Sequence, residues 1–134
     1  MKRLRFHQYT AQWESEFNTI ESNLSYLLSG LDVIIHHVGS TSVKELGAKP
    51  IIDIDIAYTN HFEQIVQVLT SNNYSYDGEK GISGRHSFTQ IIPIHHEHHL
   101  YLLHETSSEL QKHLHFRDTL RRYKSLRQLY HKVK

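Results

Sequence analysis

The eight residues Ile51-Ile52-Asp53-Ile54-Asp55-Ile56-Ala57-Tyr58 constrain this chain more than any other segment. Pro50 restricts Lys49 to extended conformations. The alternation that follows sends Ile52, Ile54 and Ile56 to one face of a strand and Asp53 and Asp55 to the other. Two carboxylates at positions i and i+2 leave the same face about 7 Å apart, close enough to share a divalent cation and, unpaired, close enough to repel.

The elements around this strand follow from hydrophobic spacing. Over 10–29, Trp13, Phe17, Ile20, Leu24, Leu27 and Leu28 recur at intervals of three and four, which predicts a helix stopped by Gly30. The β-branched run 32–38 predicts a strand that ends in the small-residue turn Gly39-Ser40-Thr41-Ser42. Phe62, Ile65, Val66 and Leu69 share one face of a helix over 61–72, closed by Asn72-Asn73. The segment 78–85, with three glycines, reads as a loop, and 86–94 and 95–103 read as the two strands of a hairpin around Pro93. Ser107-Ser108-Glu109 then starts one broken helix or two consecutive helices, with Leu110, Leu114, Leu120, Leu126, Leu129 and Val133 on their apolar faces. The order α-β-β-α-β-β-α-α predicts an α/β (α+β) fold, a small mixed β-sheet flanked by helices, and 134 residues suit a single domain over 1–134.

Composition removes several classes of function. With no cysteine there is no thiol catalysis and no thiolate zinc site, so a metal must sit on histidine and carboxylate. A formal charge of +1 gives no strong nucleic-acid footprint, although 13 histidines can add positive charge near pH 6. No apolar run approaches the roughly 20 residues of a membrane span, and MKRLRFHQYT lacks a signal-peptide core, so a cytoplasmic protein without membrane partners is expected.

The turn Gly39-Ser40 precedes Asp53 by a dozen residues. Such a turn brings backbone N–H groups and a hydroxyl to a phosphate, while paired aspartates suit Mg²⁺ (or Mn²⁺), which keeps coordination sites for phosphate oxygens. Together they point to phosphoryl chemistry; the alternative is that the aspartates decorate a solvent face and the turn is ordinary. His95-His96-Glu97-His98-His99 offers a second metal reading, in which His95, Glu97 and His99 on one strand face approach a zinc ion, against solvated hairpin residues with one functional histidine, His99. Alternation puts one of His36 and His37 on each strand face, with a hydrogen-bonded structural histidine and a ligand-facing one as the two readings. Arg117-Asp118 supplies either a functional cation or a structural pair, on the helix surface or in the interior holding the last helix to the sheet.

These residues resemble the GrpB family of the nucleotidyltransferase-like fold superfamily. The family's HVGSTSVPGLAAKPIIDI region is similar to His37-Val38-Gly39-Ser40-Thr41-Ser42-Val43 and Ala48-Lys49-Pro50-Ile51-Ile52-Asp53-Ile54. Tyr9, Trp13 and Phe17 resemble its first helix, Gly81-Ile82-Ser83-Gly84-Arg85 its G-I-P-G-R loop, and His99-Leu100-Tyr101 its H-L-Y strand. Phe116-Arg117-Asp118, Leu120-Arg121, Tyr130 and Lys132 resemble its last helical segment. Lys44-Glu45 replace the usual Pro-Gly, Ser83 a proline and Thr119 a tyrosine. The resemblance implies transfer of a nucleotidyl group from a nucleoside triphosphate to an unknown acceptor: Asp53 and Asp55 as metal ligands, Gly39, Ser40, Thr41, Lys49, Arg85 and Arg117 as phosphate or nucleotide contacts, and His99 as the base where a third acid is usual. A binding module for a nucleotide or phosphometabolite, without turnover, is the alternative.

Overall fold

The computed structural model describes the backbone of residues 6–133 and the side chains of residues 6–130. The side chains of Lys132 and Val133, and the first five residues, lie outside the described residues. In chain order the elements are α1 (Gln12–Leu27), β1 (Val33–Val38), a single 3-10 turn (Ser40–Ser42), β2 (Ile52–Tyr58), α2 (Phe62–Thr70), β3 (Tyr74–Gly78), β4 (His86–Gln90), β5 (His98–His104), α3 (Ser108–Arg122) and α4 (Lys124–Val133).

The five strands form one sheet in the order β1-β2-β5-β4-β3, antiparallel throughout except that β2 and β5 run parallel. This is the mixed α+β architecture expected from the sequence, with one strand more. Residues 74–78, for which the hydrophobic spacing predicts no element, pair with β4 as the edge strand β3. Their Tyr-Ser-Tyr-Asp-Gly pattern alternates, but the preceding asparagines and the following glycines mask so short an element. The expected hairpin strands are also shorter than 86–94 and 95–103. Side chains take the place of a neighbouring strand between them: Asn73 bonds both backbone groups of Ile92, at 2.8 and 2.9 Å, and Gln90 bonds both of His95. Pro93 has no N–H to offer a ladder, so residues 91–97 form a side-chain-bonded loop.

The isoleucine face of β2 is the dry one. Ile52, Ile54 and Ile56, with Leu100 and Leu102 of β5 and Phe88 of β4, pack beneath Trp13, Ile20 and Leu24 of α1 and Ile65 and Leu69 of α2. The opposite face is covered only in part. Ala57 and Leu103 meet Leu110 of α3 at one end, while at the other Val43 and Leu46 meet Leu120, Phe116 and Tyr130. The Ser107 hydroxyl caps α3 by accepting from Leu110 N–H, as its sequence position suggested. Between these two small clusters lie the polar residues of this face, of which Asp53 is partly exposed and Asp55 is buried.

Candidate functional site

Asp53 and Asp55 project from that polar face, but into different surroundings. Asp53 is partly exposed and lies at the junction of two clefts. One, of about 350 Å³, is walled by Val38, Gly39, Arg85, Tyr101, Lys112 and Phe116. The other, of about 420 Å³, is walled by Ser40, Thr41, Ala48, Lys49, Ile51 and His99. Asp55 is fully buried beneath α3, so of the two carboxylates that share this strand face only Asp53 opens onto the clefts.

Each aspartate is paired with a histidine from another element. Parallel pairing sets His99 beside Asp53, and His99 Nδ1 lies 3.1 Å from Asp53 Oδ1. His113 of α3 approaches from above, with Nδ1 2.6 Å from Asp55 Oδ2 and Nε2 3.1 Å from Glu109 Oε2. A ring flanked by carboxylates at both nitrogens donates twice, as an imidazolium does. The bond to Asp55 raises the pKa of His113, and burial raises that of Asp55 against the pull of the same bond, so the pair holds its proton to higher pH than either group alone. The bond to Asp53 likewise raises His99. His36, registered opposite Asp55 on this face, moves the other way because it is desolvated and sits near Arg117.

Two features suit a hard cation. Asp55 Oδ1 is buried with no hydrogen-bond partner, a costly arrangement for a carboxylate oxygen. Gly39 has φ 75°, and a Cβ built there would collide with Asp53 Oδ2, so the glycine both permits the turn and leaves room for that oxygen. Two carboxylates are as many protein ligands as Mg²⁺ commonly takes, the remainder being water and substrate phosphate.

The phosphate-binding residues expected from the sequence separate into three groups. Ser40, Thr41 and Lys49 share a cleft with His99, although the Thr41 hydroxyl is buried against His37 Nε2 at 2.9 Å. Gly39 and Arg85 line the other cleft. Arg85 follows Gly84, and the tight turns through residues 79–85 lay its guanidinium over the Tyr101 ring, 4.8 Å from the centroid, with Nε buried and unpartnered. Arg117 lines neither cleft. Its Nη1 donates to the His37 carbonyl at 3.2 Å and its Nε to Asp118 at 2.8 Å, so it ties α3 to β1.

The histidine-rich segment does not converge. His96 bonds the Pro50 carbonyl, His98 bonds Tyr74 and the His96 carbonyl, and His99 turns to Asp53. Glu97 precedes β5 rather than sharing a strand face with His99. Among the described residues no three of His, Cys, Asp or Glu group to hold a metal ion, which leaves the zinc reading without a ligand set. His37 faces the core, as one of the pair had to, stacked on Phe17 with ring centroids 4.6 Å apart.

Sequence reasoning missed His113, Glu109 and Lys112. One signal was present: Glu109, His113 and Arg117 recur at intervals of four, a polar stripe on a helix whose apolar residues are sparse.

Among the described residues no helix is long and apolar enough to cross a membrane. The chain is 32% identical over 124 residues to UPF0157 protein YqkA of Bacillus subtilis (strain 168), covering 91% of this chain and 36% of that one. It is 29% identical over 134 residues to UPF0157 protein BH1888 of Halalkalibacterium halodurans, covering 95% of this chain and 65% of that one. It therefore spans about a third of one curated relative and just under two thirds of the other. The crystal structure of conserved protein GrpB from Enterococcus faecalis superposes with a TM-score of 0.83 at 30% identity, over 96% of this chain and 79% of that chain. The GrpB protein family profile matches residues 3–134, which takes in the glycine turn, both aspartates and the α3 stripe, and on that match the chain belongs to the GrpB family.

Proposed function

We propose that this chain is a Mg²⁺-dependent nucleotidyltransferase, moving a nucleotidyl group from a nucleoside triphosphate to a separate acceptor. The observation that supports this most is the buried, unpartnered Oδ1 of Asp55 on the same strand face as Asp53, whose Oδ2 rests against a glycine. Asp53 and Asp55 would hold the ion, and when bound it neutralises charge on the reacting phosphate oxygens.

The acceptor oxygen attacks the α-phosphorus, the bond from that phosphorus to the bridging oxygen breaks, and pyrophosphate leaves with the electron pair. Ser40 and Lys49, in one cleft with Asp53, receive the pyrophosphate end, where the lysine acts as a point charge. His99 stands in the same cleft with its Nδ1 turned to Asp53, and that bond favours the imidazolium. A cation there offsets charge on the leaving group, so His99 serves pyrophosphate departure rather than acting as the base that the sequence suggested.

The test is transfer of label from α-phosphate-labelled nucleoside triphosphates with Mg²⁺ and a pool of hydroxyl and phosphate acceptors. Label joined to an acceptor, with pyrophosphate released and both lost in Asp53→Asn, is the expected result. Release of the γ-phosphate alone would contradict it, and triphosphate binding without turnover would favour the binding module. The rate also separates the two roles of His99: leaving-group assistance fades as pH rises through its raised pKa, whereas a base would gain over the same range.

A further inference from the structure

We infer that the cleft holding Arg85 and Lys112 is the acceptor site, and that the acceptor class it fits is a phosphomonoester. This rests on the nucleotidyl-transfer reading for the word acceptor, but the anion site itself stands on separate residues. The cleft meets the other one at Asp53, so a molecule in each would approach the same carboxylate. Its two cations have no carboxylate partner among the described residues. Arg85 is braced by the Tyr101 ring, and its buried Nε lacks an acceptor. An arginine edge held in this way is preset for the forked recognition of phosphate or carboxylate oxygens.

Charge chooses between those two anions. A phosphomonoester carries roughly −1.5 to −2 at pH 7, which matches one arginine plus one lysine, whereas a carboxylate carries a single charge. The chemistry agrees. The histidine lining this cleft, His113, has one nitrogen on Asp55 and the other on Glu109, so neither is placed to take a proton from an incoming hydroxyl. A phosphate acceptor needs no such step. Its oxygen is already anionic: a new bond forms from it to the α-phosphorus, the bond to the bridging oxygen breaks, pyrophosphate departs, and a phosphoanhydride remains with no proton to move. Attack by a dianion does require its charge to be held, and Arg85 and Lys112 do that.

The experiment titrates the full chain with glycerol 3-phosphate, glycerate and glycerol, with and without saturating Mg²⁺ and α,β-methylene-ATP. Glycerol 3-phosphate should bind at least tenfold tighter than glycerate, with glycerol weaker still, and the nucleotide analogue should not displace it. Arg85→Met and Lys112→Met should each weaken glycerol 3-phosphate at least tenfold and leave the analogue within about twofold. Lys49→Met should do the reverse. Lys112 is exposed, so its variant keeps the test meaningful even if Arg85→Met folds poorly. Equal affinity for the three probes, competition with the analogue, or unchanged binding in Lys112→Met would overturn the assignment. If the analogue fails to bind while glycerol 3-phosphate binds through Arg85 and Lys112, the nucleotidyl reading falls and the phosphomonoester site stands.

Discussion

The two faces of β2 are built from residues that alternate one by one, yet they obey opposite rules. On the core face three isoleucines are fully buried and the adjoining histidine, His37, is kept neutral: burial first, then Arg121 and Arg117, push its pKa down to about 4. On the other face a fully buried aspartate coexists with histidines whose pKa values rise because carboxylates accept from them. His36 lies on that polar face and His37 on the core face, yet burial lowers the pKa of both, because His36 has no carboxylate accepting from it as His99 and His113 have. One face is organised to exclude charge, and the other holds more charge than stability alone calls for.

The largest effect should come from the core face. Truncation by Ile54→Ala removes a fully buried side chain beneath α1 and should cost about 2–5 kcal/mol in denaturant unfolding, with no change in the metal response per folded molecule. A loss below about 1 kcal/mol would mean that this face is not the main core. Acid should separate the faces next. The unfolded state protonates His37 near its ordinary 6.5 while the folded state resists until about 4, so this group alone removes stability as pH falls across that window, by roughly 3 kcal/mol in full. His37→Gln should flatten that slope.

On the polar face the first test is Gly39→Ala. The left-handed backbone there costs a non-glycine residue about 1–2 kcal/mol, and the added methyl meets Asp53 Oδ2, so binding of Mg²⁺ should weaken beyond the loss of stability. Metal affinity that survives Gly39→Ala would remove Asp53 Oδ2 from the cation site. The smallest effect is a slope of the opposite sign to that of His37. Groups whose folded pKa lies above the unfolded value contribute most below it, so the metal-free protein should lose stability as pH rises through the raised pKa of His113, and Asp55→Asn should reduce that loss. Thermal melts between pH 6 and 9 would measure it.

How legible each face was in the sequence follows the same division. Isoleucine alternation and helix spacing identified the core, because burial acts on every residue of a face and leaves a period. The strand Tyr74–Gly78 escaped because its pattern spans five residues between turn-forming neighbours. Asp53 and Asp55 were legible from spacing, but their unequal burial was not, since it depends on where α3 crosses the sheet, some 55 residues later in the chain. The pairing of His113 with Asp55 spans 58 positions and carries no local signature. Glu45 shows a departure from the family pattern being absorbed: it stands where glycine is usual, adopts φ 69°, and its carboxylate accepts from Arg127 Nη2 at 3.0 Å. Thr41 and Arg117 lie within family-like motifs, but their polar groups are turned to His37 and Asp118, contacts set by tertiary packing.

The proposed nucleotidyl transfer requires the polar face to act as a cation site, stabilised by what binds between Asp53 and Asp55. The direct measurement is the thermal midpoint of wild type and Asp55→Asn with and without Mg²⁺, at pH 8 where the competing proton on His113 is more readily given up. The amide keeps the shape of the side chain and its oxygen can still accept from His113, so the metal-free variant should fold and melt cooperatively. Mg²⁺ should raise the wild-type midpoint by several degrees through preferential binding to the folded state, and leave the variant unmoved. Equal shifts in the two proteins, or no shift in the wild type, would contradict a cation site between Asp53 and Asp55.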